Sequence, residues 1–222
     1  MQVVHVPGAG LDVLMDPDAT VWSKVKSTTL DLIGTPVGLQ PTGAIRASWM
    51  NKKIGAVSQV SVAALHDGTN LAFRLEWACA NESRSPGDND QFSDAAAVLL
   101  PVVKDAPVMT MGAPGLPVNA WYWRGDDERG RNVVAEGLGT SRTADTAAVH
   151  ASSQWKGGRW RVVIARALQV ESAEPVAELA AGQSTGFAVA IWDGSKGERA
   201  GIKAFSGDWQ TLEIDAIKTA GR

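Results

Sequence analysis

Val57-Ser58-Gln59-Val60-Ser61-Val62-Ala63-Ala64-Leu65-His66-Asp67-Gly68-Thr69-Asn70-Leu71-Ala72-Phe73-Arg74-Leu75-Glu76-Trp77 is the stretch that decides how this chain folds. Leu71, Phe73, Leu75 and Trp77 alternate with Ala72, Arg74 and Glu76, the period of two that a half-buried strand requires. Val60, Val62 and Ala64 keep the same period on the other side of Asp67-Gly68-Thr69. An Asp-Gly step supplies the positive φ that a tight hairpin favours, so the two runs are expected to pair antiparallel.

Outward from this hairpin the pattern repeats. Ala148–Trp155 and Arg159–Arg166 are joined by Lys156-Gly157-Gly158 and form a second expected hairpin. Further expected strands are Leu30–Ile33, Ala44–Trp49, Ala95–Leu100, Val118–Trp123, Gly186–Trp192 and Trp209–Ile214. Helical signals are few: Asp18–Lys26 as a short turn or helix, and Ala173–Ala181. Many strands without a βαβ rhythm predict an all-β fold, a mainly antiparallel β-sandwich with a few short helices. No linker rich in Pro, Gly or Ser divides the chain, so residues 1–222 are expected to be a single domain. Asn81–Ser93 and Gly125–Asp145 read as long loops rather than core.

The hydrophobic content of 45% with 20% charged residues is that of a soluble globular protein. A net charge of −3 gives no electrostatic case for nucleic acid, and no apolar run is long enough to span a bilayer. No secretory signal is visible at the amino terminus. Cys79 is the sole cysteine, which excludes an internal disulfide and a Cys-ligated zinc or iron–sulfur site. It reads as a small buried hydrophobe. Nine Trp against one Tyr and four Phe suit a sandwich core, the wall of a flat ligand or a sugar-binding face.

No nucleophile elbow, phosphate-binding glycine loop or zinc-protease helix occurs. His5, His66 and His150 are widely separated and read as surface or satisfied strand residues. Asp88-Asn89-Asp90 has the alternating oxygens of a calcium site but not the full loop pattern, and reads as a solvated loop. Two other segments, about ninety residues apart, carry more chemistry. Met109 and Met111 sit on a Gly/Pro-rich turn from Pro107 to Pro117, and Lys203 is bracketed by Ile202, Ala204 and Phe205. A thioether can plug a core gap or ligate iron as an axial haem ligand. A lysine can snorkel its stem along apolar neighbours or, once neutral, give its lone pair to a metal. The residues alone leave both alternatives open.

The run Met-Gly-x-Pro-Gly-x-Pro-Val-Asn-x-Trp-x-Trp at Met111–Trp123, Ala190-Ile191-Trp192-Asp193-Gly194, and Lys203-x-Phe-Ser-x-Asp-Trp ending at Trp209 resemble a known family. Phe92–Val98 and Trp155–Leu168 support the match, which extends from about residue 45 onward. The chain is similar to the haem b-binding γ subunit of ethylbenzene dehydrogenase and related molybdenum enzymes. These include dimethylsulfide dehydrogenase, selenate and chlorate reductases and anaerobic sterol side-chain hydroxylases. The resemblance implies a β-sandwich with one haem b held by Met111 and Lys203, Met109 being the reserve candidate. It implies a non-catalytic electron-transfer subunit in a periplasmic heterotrimer. Its partners would be an iron–sulfur β subunit, a molybdenum-containing α subunit and a soluble cytochrome or similar redox protein. The Trp-rich strands would line the porphyrin slot, and Arg46, Arg124 or Arg131 would pair with the propionates. The rival expectations are a carbohydrate-binding sandwich, with Trp49, Trp77, Trp121 or Trp123 as a stacking platform, and a purely structural subunit.

Overall fold

Fourteen strands and two short helices make up the computed structural model, which describes residues 1–85, 91–144 and 148–217. In chain order the strands are β1 Gln2–His5, β2 Thr28–Asp31, β3 Ile33–Gly34, β4 Gln59–His66, β5 Asn70–Ala78, β6 Ala95–Pro101 and β7 Val118–Arg124. They continue with β8 Asp127–Ala135, β9 Arg142–Thr143, β10 Val149–Lys156, β11 Arg159–Ala167, β12 Ser184–Trp192, β13 Ala204–Phe205 and β14 Gln210–Ile214. The helices are α1 Gly10–Met15 and α2 Gly43–Trp49.

The founding hairpin forms as expected, β4 pairing antiparallel with β5. Asp67 closes its turn by accepting the amide N–H groups of Thr69 and Asn70 through one carboxylate oxygen. The first sheet runs β10-β11-β5-β4, with β1 and β2 sharing the free edge of β4. The second runs β3-β13-β12-β6-β7-β8-β9. Strand β12 belongs to both: Ser184–Phe187 pair with β14, while Ala188–Trp192 pair with β6. Pairing is antiparallel except at β1, which lies parallel to both β4 and β14.

Between the sheets lies one continuous core. Phe73, Leu75, Trp77, Trp160 and Val162 of the first sheet meet Val98, Trp121 and Trp123 of the second, together with Phe187 of the shared strand β12. The aromatic rings interlock edge to face, Trp123 with Trp160 at 5.0 Å and Phe73 with Trp121 at 5.8 Å. The opposite face of the first sheet is also covered, by Leu14 of α1 and by Val21 and Trp22 of a 3₁₀ turn at Thr20–Lys24. That turn falls inside the expected helical signal Asp18–Lys26.

Three expectations need correction. Ala44–Trp49 is helix α2, not a strand: the Thr42 hydroxyl accepts the Ile45 N–H, and this cap starts a helix where the apolar alternation was coincidental. Residues 173–181 form no helix. Pro175 interrupts them, and the Ala177 N–H is drawn off to the Asn119 side chain at 3.2 Å. Much of Gly125–Asp145 is strand, β8 and β9. The arginines and acids of β8 hide it because they pair along the strand surface, as Arg131 does with Asp127 at 2.7 Å. The Asp88-Asn89-Asp90 segment lies outside the described residues.

Candidate functional site

Period two gives the second sheet two different faces. On β7, Trp121 and Trp123 point into the sandwich core, so Ala120 and Tyr122 must point outward. The same alternation turns Ala97 and Leu99 outward on β6, and Ala188, Ala190 and Trp192 outward on β12. Register then places small residues side by side: Ala97 lies opposite Ala190, and Leu99 lies opposite Ala188 and Ala120. Three adjacent strands therefore present a low, methyl-lined floor on which a flat ligand can approach the backbone closely.

Over this floor is a cavity of about 430 Å³, within the usual size of small-molecule and cofactor sites. Thr35, Leu39 and Gln40 wall one side, Val108, Met109 and Met111 another, and Leu138 with Gly139 the rim. Tyr122 and Trp192 meet edge to face at 5.5 Å and form its aromatic corner. The Trp-rich strands β7 and β12 do line this cavity, but mainly through their small outward residues rather than their tryptophans. Trp121 and Trp123 are wholly buried in the core, and the slot is alanine-floored with Trp192 at its edge.

Met111 and Lys203 meet in this cavity, with Lys203 Nζ 3.6 Å from Met111 Sδ across a sequence gap of 92 residues. Met111 adopts a left-handed backbone conformation, φ +56°, which is rare for a residue carrying a Cβ. The turn holds it there: its N–H donates to the Val108 carbonyl, and its own carbonyl accepts the Gly137 N–H at 3.0 Å. Gly112 follows with φ +85°, and a Cβ there would come within 2.7 Å of the Leu116 carbonyl oxygen. The glycine of the Met-Gly step is therefore a requirement of the turn as well as of the motif. Met109 also borders the cavity, but it is 39% exposed and stands at the mouth.

Lys203 is 9% exposed. Among the described residues it has no carboxylate partner; besides the thioether, a weak acceptor, its ammonium sits 5.4 Å from the Trp192 ring centroid. Burial lowers its pKa from 10.5 to about 8, so the neutral amine with its free lone pair lies within easy reach. A sulfur and an amine nitrogen converging in an apolar cavity form a donor set suited to a transition metal with open axial positions. The chemistry of the site fits an iron porphyrin.

None of the three arginines expected at the propionates lines the cavity. Arg124 pairs with Asp126, and Arg131, the cross-strand neighbour of Tyr122, pairs with Asp127. Arg46, on α2, donates to the carbonyl of Gln40, a lining residue, at 2.6 Å. The proposed sugar platform fares no better, since Trp77, Trp121 and Trp123 are each 1% exposed or less and Trp49 alone is partly open. Cys79 is buried, as read from sequence, and its thiol is pushed up to about 12 by burial. Of the two readings offered for His66, surface or strand residue, the structure gives a strand residue: it ends β4, is fully buried and stacks on His5 at 4.8 Å. Thr35, Gln40, Tyr122 and the alanine floor escaped the sequence reading. The alternation of Ala120 and Tyr122 with two tryptophans carried the signal, but only knowledge of which face is core makes it legible.

Fold and site together define a β-sandwich that carries a cofactor-sized cavity on the outside of one sheet, with a buried Met–Lys pair inside it. A sequence model of the family described as ethylbenzene dehydrogenase matches residues 19–147 and 138–204, and the chain belongs to that family. It is 34% identical over 200 residues to the chlorate reductase subunit gamma of Ideonella dechloratans, covering 89% of this chain and 79% of that one. A Haloferax mediterranei protein, provisionally named respiratory nitrate reductase heme subunit, is 32% identical over 199 residues, 89% of this chain and 67% of its own length. The dimethylsulfide dehydrogenase subunit gamma of Rhodovulum sulfidophilum is 26% identical over 215 residues, 93% of this chain and 78% of that one. Among solved structures, a family 9 carbohydrate binding module of Caldicellulosiruptor kristjanssonii, in complex with glucose, superposes with a TM-score of 0.52. Identity there is 10%, with 99% of this chain and 98% of that chain covered, so the likeness is one of fold alone.

Proposed function

We propose that this chain is a non-catalytic electron-transfer subunit that holds one haem b in the outer cavity, with Met111 and Lys203 as its axial ligands. The observation that carries this reading is the 3.6 Å meeting of Lys203 Nζ and Met111 Sδ inside an apolar cavity. A buried ammonium facing a thioether is a poor end state for a protein, because the thioether is a weak acceptor and no carboxylate among the described residues compensates the charge. Both groups are instead good donors to iron. The bound haem would supply reversible one-electron chemistry. The chain would provide the two donors, exclude water with the alanine floor and the Trp192–Tyr122 corner, and, by burying the amine, make its proton easier to lose to the iron.

The relatives named as gamma and heme subunits of reductases and a dehydrogenase support a place in such a complex. On this reading the partners are an iron–sulfur β subunit and a molybdenum-containing α subunit. A soluble cytochrome or similar carrier exchanges electrons at the cavity mouth, and the assembly works in the periplasm. No helix among the described residues is long and apolar enough to cross a membrane.

The test is a reduced-minus-oxidised visible spectrum of the haem-supplied protein beside Met111→Ala and Lys203→Ala. Sharp low-spin α and β bands in the parent, lost in both variants, are expected. A folded parent that takes up no haem, or bands that survive both substitutions, would end the proposal. Met109→Ala should leave the bands in place, because that thioether stands at the mouth.

A further inference from the structure

Lys203 is carried by a turn that the rest of the protein grips at two points. At its start, the Glu198 carboxylate is 1% exposed and accepts three backbone N–H groups: Gly55 at 2.7 Å, Ala56 at 2.9 Å and Asp193 at 3.1 Å. At its end, Thr35 reaches it in three ways. The Thr35 hydroxyl donates to the Gly201 carbonyl at 2.6 Å and accepts the Lys203 N–H at 3.3 Å, while the Thr35 N–H donates to the Lys203 carbonyl at 2.9 Å. The Gln40 amide adds a second donor to the Gly201 carbonyl at 3.1 Å.

Residues 33–41, which supply Thr35 and Gln40, cross the site as a strap. Its first part pairs with β13 through Ile33 and Gly34. A Cβ on Gly34 would lie 2.1 Å from the Ile54 carbonyl oxygen, so the strap is pressed against the same segment that Glu198 grips. Gly201 is equally constrained, because a Cβ there would lie 2.4 Å from the Gln40 amide oxygen. The strap also forms cavity wall at Thr35, Leu39 and Gln40.

We infer that Thr35 is a positioning residue whose hydroxyl fixes the backbone of Lys203, so that the amine is aimed at the ligand-binding side of the cavity; this rests on the assignment of Lys203 as an axial ligand. The physical reason is the length of the lysine side chain. Four flexible methylenes define no direction by themselves, so the aim of Nζ depends on a fixed Cα and a confined stem. A hydroxyl that both donates to Gly201 and accepts from Lys203 couples the two sides of the turn, which an apolar side chain of the same shape does not do.

The experiment compares Thr35→Val, Thr35→Ser and Lys203→Ala in the haem-supplied protein, by visible spectrum and midpoint potential. It also follows amide hydrogen exchange at Lys203 in the cofactor-free protein. Thr35→Val is expected to lose part of its low-spin band intensity and shift its potential, and to exchange the Lys203 N–H about five- to tenfold faster. Thr35→Ser should restore both. If Lys203→Ala leaves the spectrum intact, the ligand assignment itself is wrong. If that variant loses the bands but Thr35→Val matches the parent in spectrum and exchange, the positioning role alone is overturned. A lower melting temperature in Thr35→Val with unchanged spectrum and potential overturns it too. Should Thr35→Val fail to fold, Gln40→Leu gives the second reading: a smaller shift in the same direction supports the strap, and none refutes it.

Discussion

At Lys203, a single buried amine carries a stability cost with a definite pH signature. Its folded pKa of about 8 lies below the ordinary 10.5, so the unfolded chain binds the proton more tightly. Below pH 8 the amine is charged in both states and the full penalty, about 3 kcal/mol, is present. Between pH 8 and 10.5 the folded protein sheds a proton that the unfolded chain keeps, and stability rises with pH. Cofactor-free Lys203→Met should therefore be more stable than its parent by about 3 kcal/mol at pH 7, with the gap closing above pH 10.5. Urea denaturation at the two pH values measures this, and equal stability at pH 7 would contradict it. Burial of an uncompensated lysine is hard to explain by folding alone, which is why it reads as a site. Met111 conveys the same message through its backbone, held at positive φ by the turn that aims it.

Each strand of the second sheet has one face for folding and one for the ligand. Trp121 fills the core, whereas Ala190 lies on the cavity floor. Trp121→Ala should cost about 3–5 kcal/mol in chemical denaturation, because it opens a void among packed rings. Ala190→Phe should move stability by less than about 1 kcal/mol yet abolish haem uptake, since the new ring occupies the floor. If Trp121→Ala instead lost pigment without losing stability, the assignment of faces would be wrong. The hairpins were readable at this scale because β4 and β5 alternate cleanly about an Asp-Gly turn. Strand β8 was not, since its charges satisfy one another in space and so mimic a loop in one dimension. Helix α2 was misread for the converse reason: seven residues with accidental alternation were decided by the Thr42 cap.

Across the whole molecule, the buried Asp94 joins parts distant in sequence. Its carboxylate accepts the Ser83 N–H at 2.9 Å, the Trp160 indole N–H at 2.8 Å and the Gly194 N–H at 2.8 Å. It thereby links the start of β6, a core ring of the opposite sheet, and the turn after β12 that leads toward Lys203. Burial raises its pKa, while the three donors act in the other direction. Asp94→Ala should cost about 3–5 kcal/mol, because it leaves two buried donors and one part-buried donor without their partner. A loss below about 1 kcal/mol in equilibrium denaturation would show that water replaces the carboxylate. Strand β12 plays the matching backbone role, bonding to the first sheet through Ser184–Phe187 and to the second through Ala188–Trp192.

By itself the sequence determined the local periods, the hairpin turns, the Met-Gly step and the family-like order of motifs, and through these the all-β class and the two candidate ligands. Such features depend on residues within a few positions of one another, or on a motif matched as a string. The tertiary structure alone decided that Met111 and Lys203 meet across 92 residues, and that the cavity lies outside the sandwich rather than among its tryptophans. It also decided that Thr35 grips the turn carrying Lys203. A period of two says that a strand has two faces, but which face is core is set by the partner sheet packed against it.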